Sequence, residues 1–368
     1  MMRPVLQWLV GLNVIICLLL FGAVLVSQWG PALISGQPAA SPQDDPVGAD
    51  YAPFHSAASL ALAGKAGEAY HPKALQGEIK RLTGGESGAV WPYPPIFLLM
   101  LLPLGFLSYL PSLLLWLGVS LCAFVGVLRR LVPHVCTVWL ALAFPGTFLN
   151  LLNGQNGLLS AALMGAGLVL LERRPGWAGA VLGLMSYKPH LAPLIPLALA
   201  AGGQRRALAG AGATLLGLIL ITSLSLGWEL WADFFTGLSK IVGALEHGSF
   251  PRDKQASLLA AVRLAGGGPA LAWTLQGAVM LLAVLAVVWA WRRPMPHNRR
   301  AAVLVLATLL FSPHLFYYDL ALLALPLAWL GQEALEKKPA PLFWLLALIA
   351  WYVPLMTYPF RQFLGPVP

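Results

Sequence analysis

The stretch PALAWTLQGAVMLLAVLAVVWAW, residues 269–291, contains no charged side chain. An α-helix needs about 20 consecutive apolar residues to cross the hydrocarbon core of a bilayer. Residues 5–26 and 207–226 are equally free of charge, and residues 87–128 and 131–171 are each long enough for two crossings broken by Pro or Gly. The pattern therefore predicts an all-α polytopic integral membrane protein with roughly ten transmembrane helices, some of them short or broken.

Composition supports a membrane location. Of the 368 residues, 58% are hydrophobic and the mean hydropathy is +0.75, whereas soluble globular domains contain roughly 45–50% apolar residues. Arg3 precedes the first apolar run, as in a signal peptide, but that run is about twice too long for a typical signal-peptide core. We predict an uncleaved anchor, with a cleaved signal peptide as the alternative.

We predict a single membrane domain over residues 1–368. Within it, residues 94–107 contain three prolines and are predicted not to span fully. The predicted segments are a first transmembrane helix at 5–27, a first extracytoplasmic loop at 28–93, transmembrane helices at 94–226, an extracytoplasmic or interfacial segment at 227–268, and transmembrane helices at 269–357.

Paired basic residues indicate which loops face the cytoplasm. The net charge of +9 could suggest nucleic acid, but the basic pairs stand between apolar segments, where the positive-inside rule marks cytoplasmic loops. We predict no nucleic-acid partner and a multi-pass protein of the bacterial cytoplasmic (inner) membrane. The pairs are Arg129-Arg130, Arg173-Arg174, Arg205-Arg206, Arg292-Arg293, Arg299-Arg300 and Lys337-Lys338.

Polar segments remain for the opposite, extracytoplasmic side. The first loop holds six of the 14 acidic residues, the segment 227–268 mixes aromatic residues with acids as interfacial helices do, and a tail follows Thr357. The acids of the first loop are Asp44, Asp45, Asp50, Glu68, Glu78 and Glu86.

Two predicted breaks interrupt the apolar helices. The short segment between Arg174 and Arg205 predicts two short helices that meet at Tyr187-Lys188-Pro189-His190. A second break is predicted at Ser312-Pro313-His314, because Pro removes a helix donor and clashes with the preceding turn. Broken helices at membrane depth are tolerated where they line a polar cavity.

Ionisable residues in apolar surroundings are costly, which makes them candidates for function. Lys188 is a compact cation suited to a phosphate, or else a lysine that snorkels to the interface. His314 could donate to a substrate oxygen while Asp319 orients it or binds hydroxyls. The alternatives are that His314 is simply a histidine at a helix end and that Asp319 complements a helix dipole. His190 is the fourth such residue.

The polar run at residues 153–157 offers amide donors between two apolar helices, or is simply a turn. Three cysteines form no C-x-x-C pair, and His55 and His71 lack partners at metal-ligand spacing. No Walker, G-x-S-x-G or dinucleotide motif occurs in a usable context. We therefore predict no metal site and no cofactor.

The order of several short motifs resembles that of the polyprenyl-phosphate-dependent GT-C membrane glycosyltransferases. The similarity is to family GT87, which contains mycobacterial phosphatidylinositol-mannoside mannosyltransferases. The motifs are Asp50 with Phe54, Ala57 and Gly64; Tyr70-x-Pro72; Tyr93-Pro94-Pro95; Gly154-Gln155-Asn156; Ala178-Gly179 through Leu184 to Lys188-Pro189; and Ser312-Pro313-His314 with Tyr318-Asp319.

The resemblance implies a GT-C fold whose active site opens on the extracytoplasmic side and whose donor is a lipid-linked sugar. The catalytic acid of the family lies in the first extracytoplasmic loop, at the place of Asp50. The resemblance and the polar character of the residues together suggest these substrate-binding residues: Lys188, His314, Asp319, Gln155, Asn156, Tyr51, His55 and Tyr318.

Sugar transfer needs a base for the acceptor hydroxyl and stabilisation of the departing phosphate. We predict an inverting hexosyltransferase, mannose-like in specificity, with Asp50 as the base and a lipid or glycan as acceptor; membrane lipids are its further partners. A transporter or lipid flippase also fits the broken helices, but no internal repeat supports it. A non-catalytic membrane scaffold subunit is a third possibility, and it leaves Lys188 and His314 unexplained.

Overall fold

The described part of the chain is mainly helical. No β-strand occurs among the described residues, and the predicted all-α class is confirmed. Lys338 and the tail after Thr357, both assigned to loops from the sequence, lie outside the described residues. The computed structural model describes residues 4–39, 43–247, 254–337 and 340–357.

The described α-helices vary from seven to 32 residues in length. In chain order they are α1 Pro4–Ser35, α2 Ala52–Leu62, α3 Pro72–Thr83, α4 Pro95–Leu101, α5 Tyr109–Leu131, α6 Cys136–Ala143, α7 Pro145–Asn153, α8 Gly157–Leu170, α9 Pro175–Gly183, α10 Leu194–Ala201, α11 Arg205–Leu226, α12 Leu230–His247, α13 Leu258–Leu264, α14 Pro269–Arg292, α15 His297–Phe311, α16 Ala324–Lys337 and α17 Pro341–Met356. Short 3-10 helices lie at Ala66–Tyr70, Leu102–Phe106, Leu184–Tyr187, Pro189–Leu191 and Tyr317–Leu323.

Four described helices are long and apolar enough to cross a membrane: α1 from Val10 onward, α5, α11 and α14. The bent pair α6 and α7, with 58° between its halves, adds a fifth if it counts as one span. The protein is therefore a membrane protein. The count of roughly ten transmembrane helices and the GT-C arrangement stay predictions, since the other apolar helices are shorter: Pro95–Phe106, Gly157–Leu170, Pro189–Ala201 and Pro341–Met356.

The first helix is longer than the sequence suggested. It continues past the predicted end at residue 27 to Ser35 and contains Pro31. The indole of Trp29 is buried and donates to the carbonyl oxygen of Leu152 at 3.4 Å, which holds this part of α1 against α7. Tertiary contact thus extends a helix that local signals would end earlier.

Both predicted breaks are confirmed. The helices α9 and α10 are short and are separated by two 3-10 turns, with Lys188 in a non-helical conformation between them, at φ −130° and ψ 75°. Helix α15 ends at Phe311, directly before Ser312 and Pro313, and the chain resumes as the 3-10 helix Tyr317–Leu323. The breaks bring polar residues to the interior of an apolar bundle.

Glycines set the distance between α9 and α11. A Cβ on Gly179 would lie 1.9 Å from the carbonyl oxygen of Ala207, and one on Gly210 would lie 2.3 Å from the carbonyl oxygen of Gly176. Small residues allow this approach of two backbones, as in other membrane helix pairs. The contact holds α9, the helix that precedes Lys188, close against α11.

Candidate active site

A buried ion pair joins the two helix breaks. The ammonium of Lys188 donates to Oδ1 of Asp319, and the two side chains are 1% and 0% exposed. Removing two charges from water costs several kcal/mol per ion, which only close pairing and further hydrogen bonds offset. Either charge can therefore stay buried at low cost only while the other is present.

Lys188 has two further contacts. Its ammonium donates to Oδ1 of Asn156 at 2.5 Å and lies 4.7 Å from the ring centroid of Tyr318. The amide nitrogen of Asn156 in turn donates to the Tyr93 hydroxyl at 3.0 Å. The charge is thus held by a carboxylate, an amide and an aromatic face.

The second oxygen of Asp319 is also occupied. Oδ2 accepts the backbone N–H of Phe316 at 3.2 Å and lies 3.3 Å from Nε2 of His190. Asp319 stands in the first turn of the 3-10 helix Tyr317–Leu323, where a carboxylate is favoured by free N–H groups. His190, whose side chain is 26% exposed, connects this pair to the surface.

The loop before α2 carries Asp50 and packs on the turn between α7 and α8. The backbone N–H of Asp50 donates to the carbonyl oxygen of Asn153 at 3.0 Å. Gly154 ends α7 in the left-handed region at φ +76°, and a Cβ there would lie 2.6 Å from Cβ of Tyr51. The loop can sit this close only because residue 154 is glycine.

The carboxylate of Asp50 is partly exposed, at 22% of its side-chain surface. The Tyr317 hydroxyl donates to its Oδ2 at 3.4 Å, and Nζ of Lys254 lies 4.0 Å from its Oδ1. Three distant segments therefore meet at this acid: the first loop, the chain after α15, and the chain before α13.

Tyr317 and Tyr93 link the exposed acid to the buried pair. Tyr317 contacts Asp50 and stands two residues before Asp319. Burial raises the pKa of the Tyr93 phenol, and the charges of Asp319 and Asp50 raise it further. Tyr93 therefore lies within electrostatic reach of both carboxylates, of which Asp50 is partly exposed and Asp319 is buried.

The family model of glycosyltransferase family 87 matches residues 91–313. The chain belongs to glycosyltransferase family 87. The predicted family is thereby confirmed, and the protein is a glycosyltransferase. No curated protein and no solved structure matches the chain.

The matched range of family 87 covers Lys188 and Asn156 but stops one residue before His314. Asp50 precedes the range and Asp319 follows it. The fold brings both residues into contact with the matched range: the backbone N–H of Asp50 donates to the carbonyl oxygen of Asn153, and the carboxylate of Asp319 accepts from Lys188.

Two predicted substrate contacts lie in the aromatic core of this family 87 protein. The hydroxyl of Tyr51 lies 2.5 Å from Oγ of Ser112, and Nε2 of His55 lies 2.9 Å from the carbonyl oxygen of Leu107. Their exposed fractions are 0% and 2%, and burial lowers the pKa of the His55 imidazole. A sugar-binding role for them stays a prediction that these contacts do not support.

Among the other predicted residues, Asn156 and Tyr318 contact Lys188 directly. Gln155 is buried and its side-chain oxygen accepts the N–H of Asn156 at 3.3 Å. The ring of Tyr318 stacks on Phe316 with 5.3 Å between centroids. His314 meets the ring of Trp273 edge to face at 6.3 Å. The structure thus brings Asn156, Tyr318 and Asp319 around Lys188.

Sequence reasoning missed two residues that hold these parts together. Asn150 donates to the carbonyl oxygen of Tyr318 at 3.0 Å and accepts the N–H of Gly157 at 2.7 Å. Gln276 is fully buried in α14. Each is an amide within a largely apolar helix, and that contrast is the signal that could have identified them.

Within the described ranges, no three His, Cys, Asp or Glu side chains are grouped as metal ligands.

Proposed function

We propose that this protein transfers a mannose-like hexose from a polyprenyl-phosphate-linked donor to a lipid or glycan acceptor, with inversion at the anomeric carbon. Asp50 is the general base. The observation that carries the proposal is the position of Asp50: a partly exposed carboxylate that accepts the hydroxyl of Tyr317, which stands two residues before Asp319 of the buried ion pair.

The reaction requires one proton acceptor and one stabilised leaving group. The acceptor oxygen attacks the anomeric carbon while its proton passes to the Asp50 carboxylate. The bond between that carbon and the phosphate oxygen breaks, and its electron pair stays on the polyprenyl phosphate. Attack opposite the leaving oxygen inverts the centre, as in glycosidases whose base activates a nucleophile on the far face.

Lys188 and His314 are the predicted cations for the leaving phosphate. Lys188 already has Asp319 and Asn156 as acceptors, so a phosphate oxygen would have to replace Asn156 or share the ammonium with the carboxylate. In this proposal Lys188 therefore stabilises the leaving phosphate through its electrostatic field as well as through direct contact. His314 lies in the break after α15, on the same connecting segment as Tyr317.

An extracytoplasmic active site is supported by the direction of α5. At its first residue, the Tyr109 hydroxyl donates to the carbonyl oxygen of Val47 at 2.8 Å, in the loop that carries Asp50. At its other end stand Arg129 and Arg130. A helix rises about 1.5 Å per residue, so α5 separates the two ends by a bilayer thickness. By the positive-inside rule, this direction of α5 supports an extracytoplasmic position for Asp50.

The direct test is transfer activity in membranes supplied with a radiolabelled polyprenyl-phosphate mannose. Asp50→Asn is expected to lose about 10²- to 10⁴-fold in rate, the range of general-base assistance. Asp44→Asn removes an exposed acid of the same loop and is expected to keep wild-type activity. Full activity in Asp50→Asn contradicts the assignment of the base, and uptake into vesicles without sugar transfer favours a transporter.

A further inference from the structure

We propose that Lys254 is a phosphate-binding residue of the active site, with its ammonium contacting the phosphate of the lipid-linked donor while it stands beside Asp50. The inference rests on the function proposed above. It assigns to Lys254, in the segment before α13, the stabilisation of the negative charge that develops on the leaving phosphate.

The backbone that carries Lys254 is fixed to the chain after α15. Gln255 and Phe316 form an antiparallel bridge, and the N–H of Ala256 donates to the carbonyl oxygen of Leu315 at 2.7 Å. Lys254 therefore keeps a defined place next to the segment that contains His314 and Tyr317.

Gln276 provides a second attachment. Its side-chain oxygen accepts the N–H of Leu259 at 3.1 Å, and its amide donates to the carbonyl oxygen of Leu310 at 3.1 Å. Carbonyl groups of the last helical turn lack intrahelical donors, and α15 ends at Phe311. One buried side chain thus joins the start of α13 to the end of α15, with Lys254 and His314 beyond these ends.

The Lys254 ammonium lies near the Asp50 carboxylate without forming a hydrogen bond to it. It lies 4.0 Å from Oδ1 of Asp50, its side chain is 30% exposed, and this separation exceeds a hydrogen-bond distance. No hydrogen bond to it is found within the described residues. A lysine ammonium has three N–H donors, so its donors remain available to a phosphate oxygen.

Lys188 differs from Lys254 in the exposure of its side chain and in the pairing of its charge. It is 1% exposed, and Asp319 balances its charge at close range. When the glycosidic bond breaks, the phosphate gains negative charge, and a cation with free donors responds most strongly to that gain. Lys254 has this character.

The distance to Asp50 also suits an in-line displacement. A phosphate oxygen hydrogen-bonded to the ammonium would lie at most roughly 7 Å from the base, at the lower end of the about 6.5–9.5 Å that separates the two carboxyl groups of inverting glycosidases. At that longest distance the ammonium itself lies between the two groups, so the acceptor oxygen and the anomeric carbon would lie beside it. Lys254 would transfer no proton and would only balance the charge of the departing phosphate.

Binding to undecaprenyl phosphate, the product lipid, tests the inference on purified full-length protein in detergent. Undecaprenol is the matched neutral lipid, and inorganic phosphate as a competitor separates headgroup from lipid binding. Lys254→Met is expected to bind undecaprenyl phosphate about tenfold or more weakly, the value of one lost charge-assisted hydrogen bond. Lys254→Arg is expected to stay within about threefold of wild type because it keeps charge and donors.

Lys240→Met, at an exposed lysine of α12, is the control and is expected to bind as wild type does. Undecaprenol binding is expected to be unchanged in every variant. Equal binding of undecaprenyl phosphate by wild type, Lys254→Met and Lys254→Gln overturns the role of Lys254. If the wild type itself does not prefer undecaprenyl phosphate to undecaprenol, the proposed donor class fails, and this inference fails with it.

Discussion

Lys188 and Asp319 form a buried ion pair across 131 residues of sequence. One comes from the break between α9 and α10, the other from the 3-10 helix after α15. The stability of the fold and the shape of the active site therefore depend on the same contact.

Removing Asp319 alone leaves a buried, uncompensated lysine. Asp319→Leu is expected to lower the free energy of unfolding by about 3–5 kcal/mol, whereas the double variant Lys188→Met with Asp319→Leu recovers much of it, because an apolar pair replaces the ions. Thermal unfolding in detergent measures both. A double variant less stable than the single one contradicts the pairing.

The hydroxyl of Tyr317 orients the carboxylate of Asp50. Tyr317→Phe keeps the ring and removes a hydrogen bond of 3.4 Å, so the transfer rate is expected to fall about two- to tenfold with no change in thermal stability. The matched control is Tyr352→Phe in α17, which is expected to keep the rate. A loss as large as that of Asp50→Asn indicates a more direct role for the hydroxyl.

Gly154 is expected to be essential for the loop that carries Asp50. Gly154→Ala places a Cβ in the left-handed region and 2.6 Å from Cβ of Tyr51, so both stability and transfer activity should fall. Gly203→Ala has a similar φ of +66° but meets nothing within 4 Å. It is expected to cost about 1 kcal/mol in stability and no activity. Equal effects of the two variants mean that the Tyr51 contact is unimportant.

Close packing of α9 on α11 should tolerate no added methyl group. Gly179→Ala must separate the two helices, because its Cβ would lie 1.9 Å from the carbonyl oxygen of Ala207. We expect a loss of about 1–3 kcal/mol, the usual cost of overpacking. Gly176→Ala in the same helix meets nothing within 4 Å and serves as the control. Thermal unfolding compares the two.

Gln276 is expected to matter for both folding and catalysis. Gln276→Leu leaves the N–H of Leu259 and the carbonyl oxygen of Leu310 without their partner. Both hydrogen bonds are partly buried, so each lost partner is expected to cost at most about 1–3 kcal/mol. Because the same contacts hold Lys254 near Asp50, transfer activity at a permissive temperature should also fall. Wild-type activity in a stably folded Gln276→Leu shows that these positions are held in another way.

Local sequence signals predicted the helical class and both helix breaks. Pro189 and Pro313 act on their own neighbours, so the positions of the breaks follow from a few residues. The candidates Lys188 and Asp319 were also identified locally, as charges in apolar surroundings. Their pairing was not predicted, since it depends on how two remote helix ends pack.

The placement of other residues needed the tertiary structure. Tyr51 stands next to Asp50 in sequence, yet its side chain enters the aromatic core and its hydroxyl meets Ser112. Lys254 belongs to a segment that the sequence assigned only in general terms, as extracytoplasmic or interfacial, and its approach to Asp50 depends on the bridge between Gln255 and Phe316. Contacts over such separations have no local pattern.

The separation between Lys188 and Asp319 also has a consequence for biosynthesis. Ribosomes release Lys188 long before Asp319 exists, so the nascent chain holds an unpaired cation in its α9–α10 segment until synthesis is nearly complete. Chains that terminate before residue 319 should thus be degraded faster when they carry Lys188 than when they carry Lys188→Met. Pulse-chase labelling in cells compares these half-lives, and equal turnover of truncated chains with and without Lys188→Met contradicts the expectation.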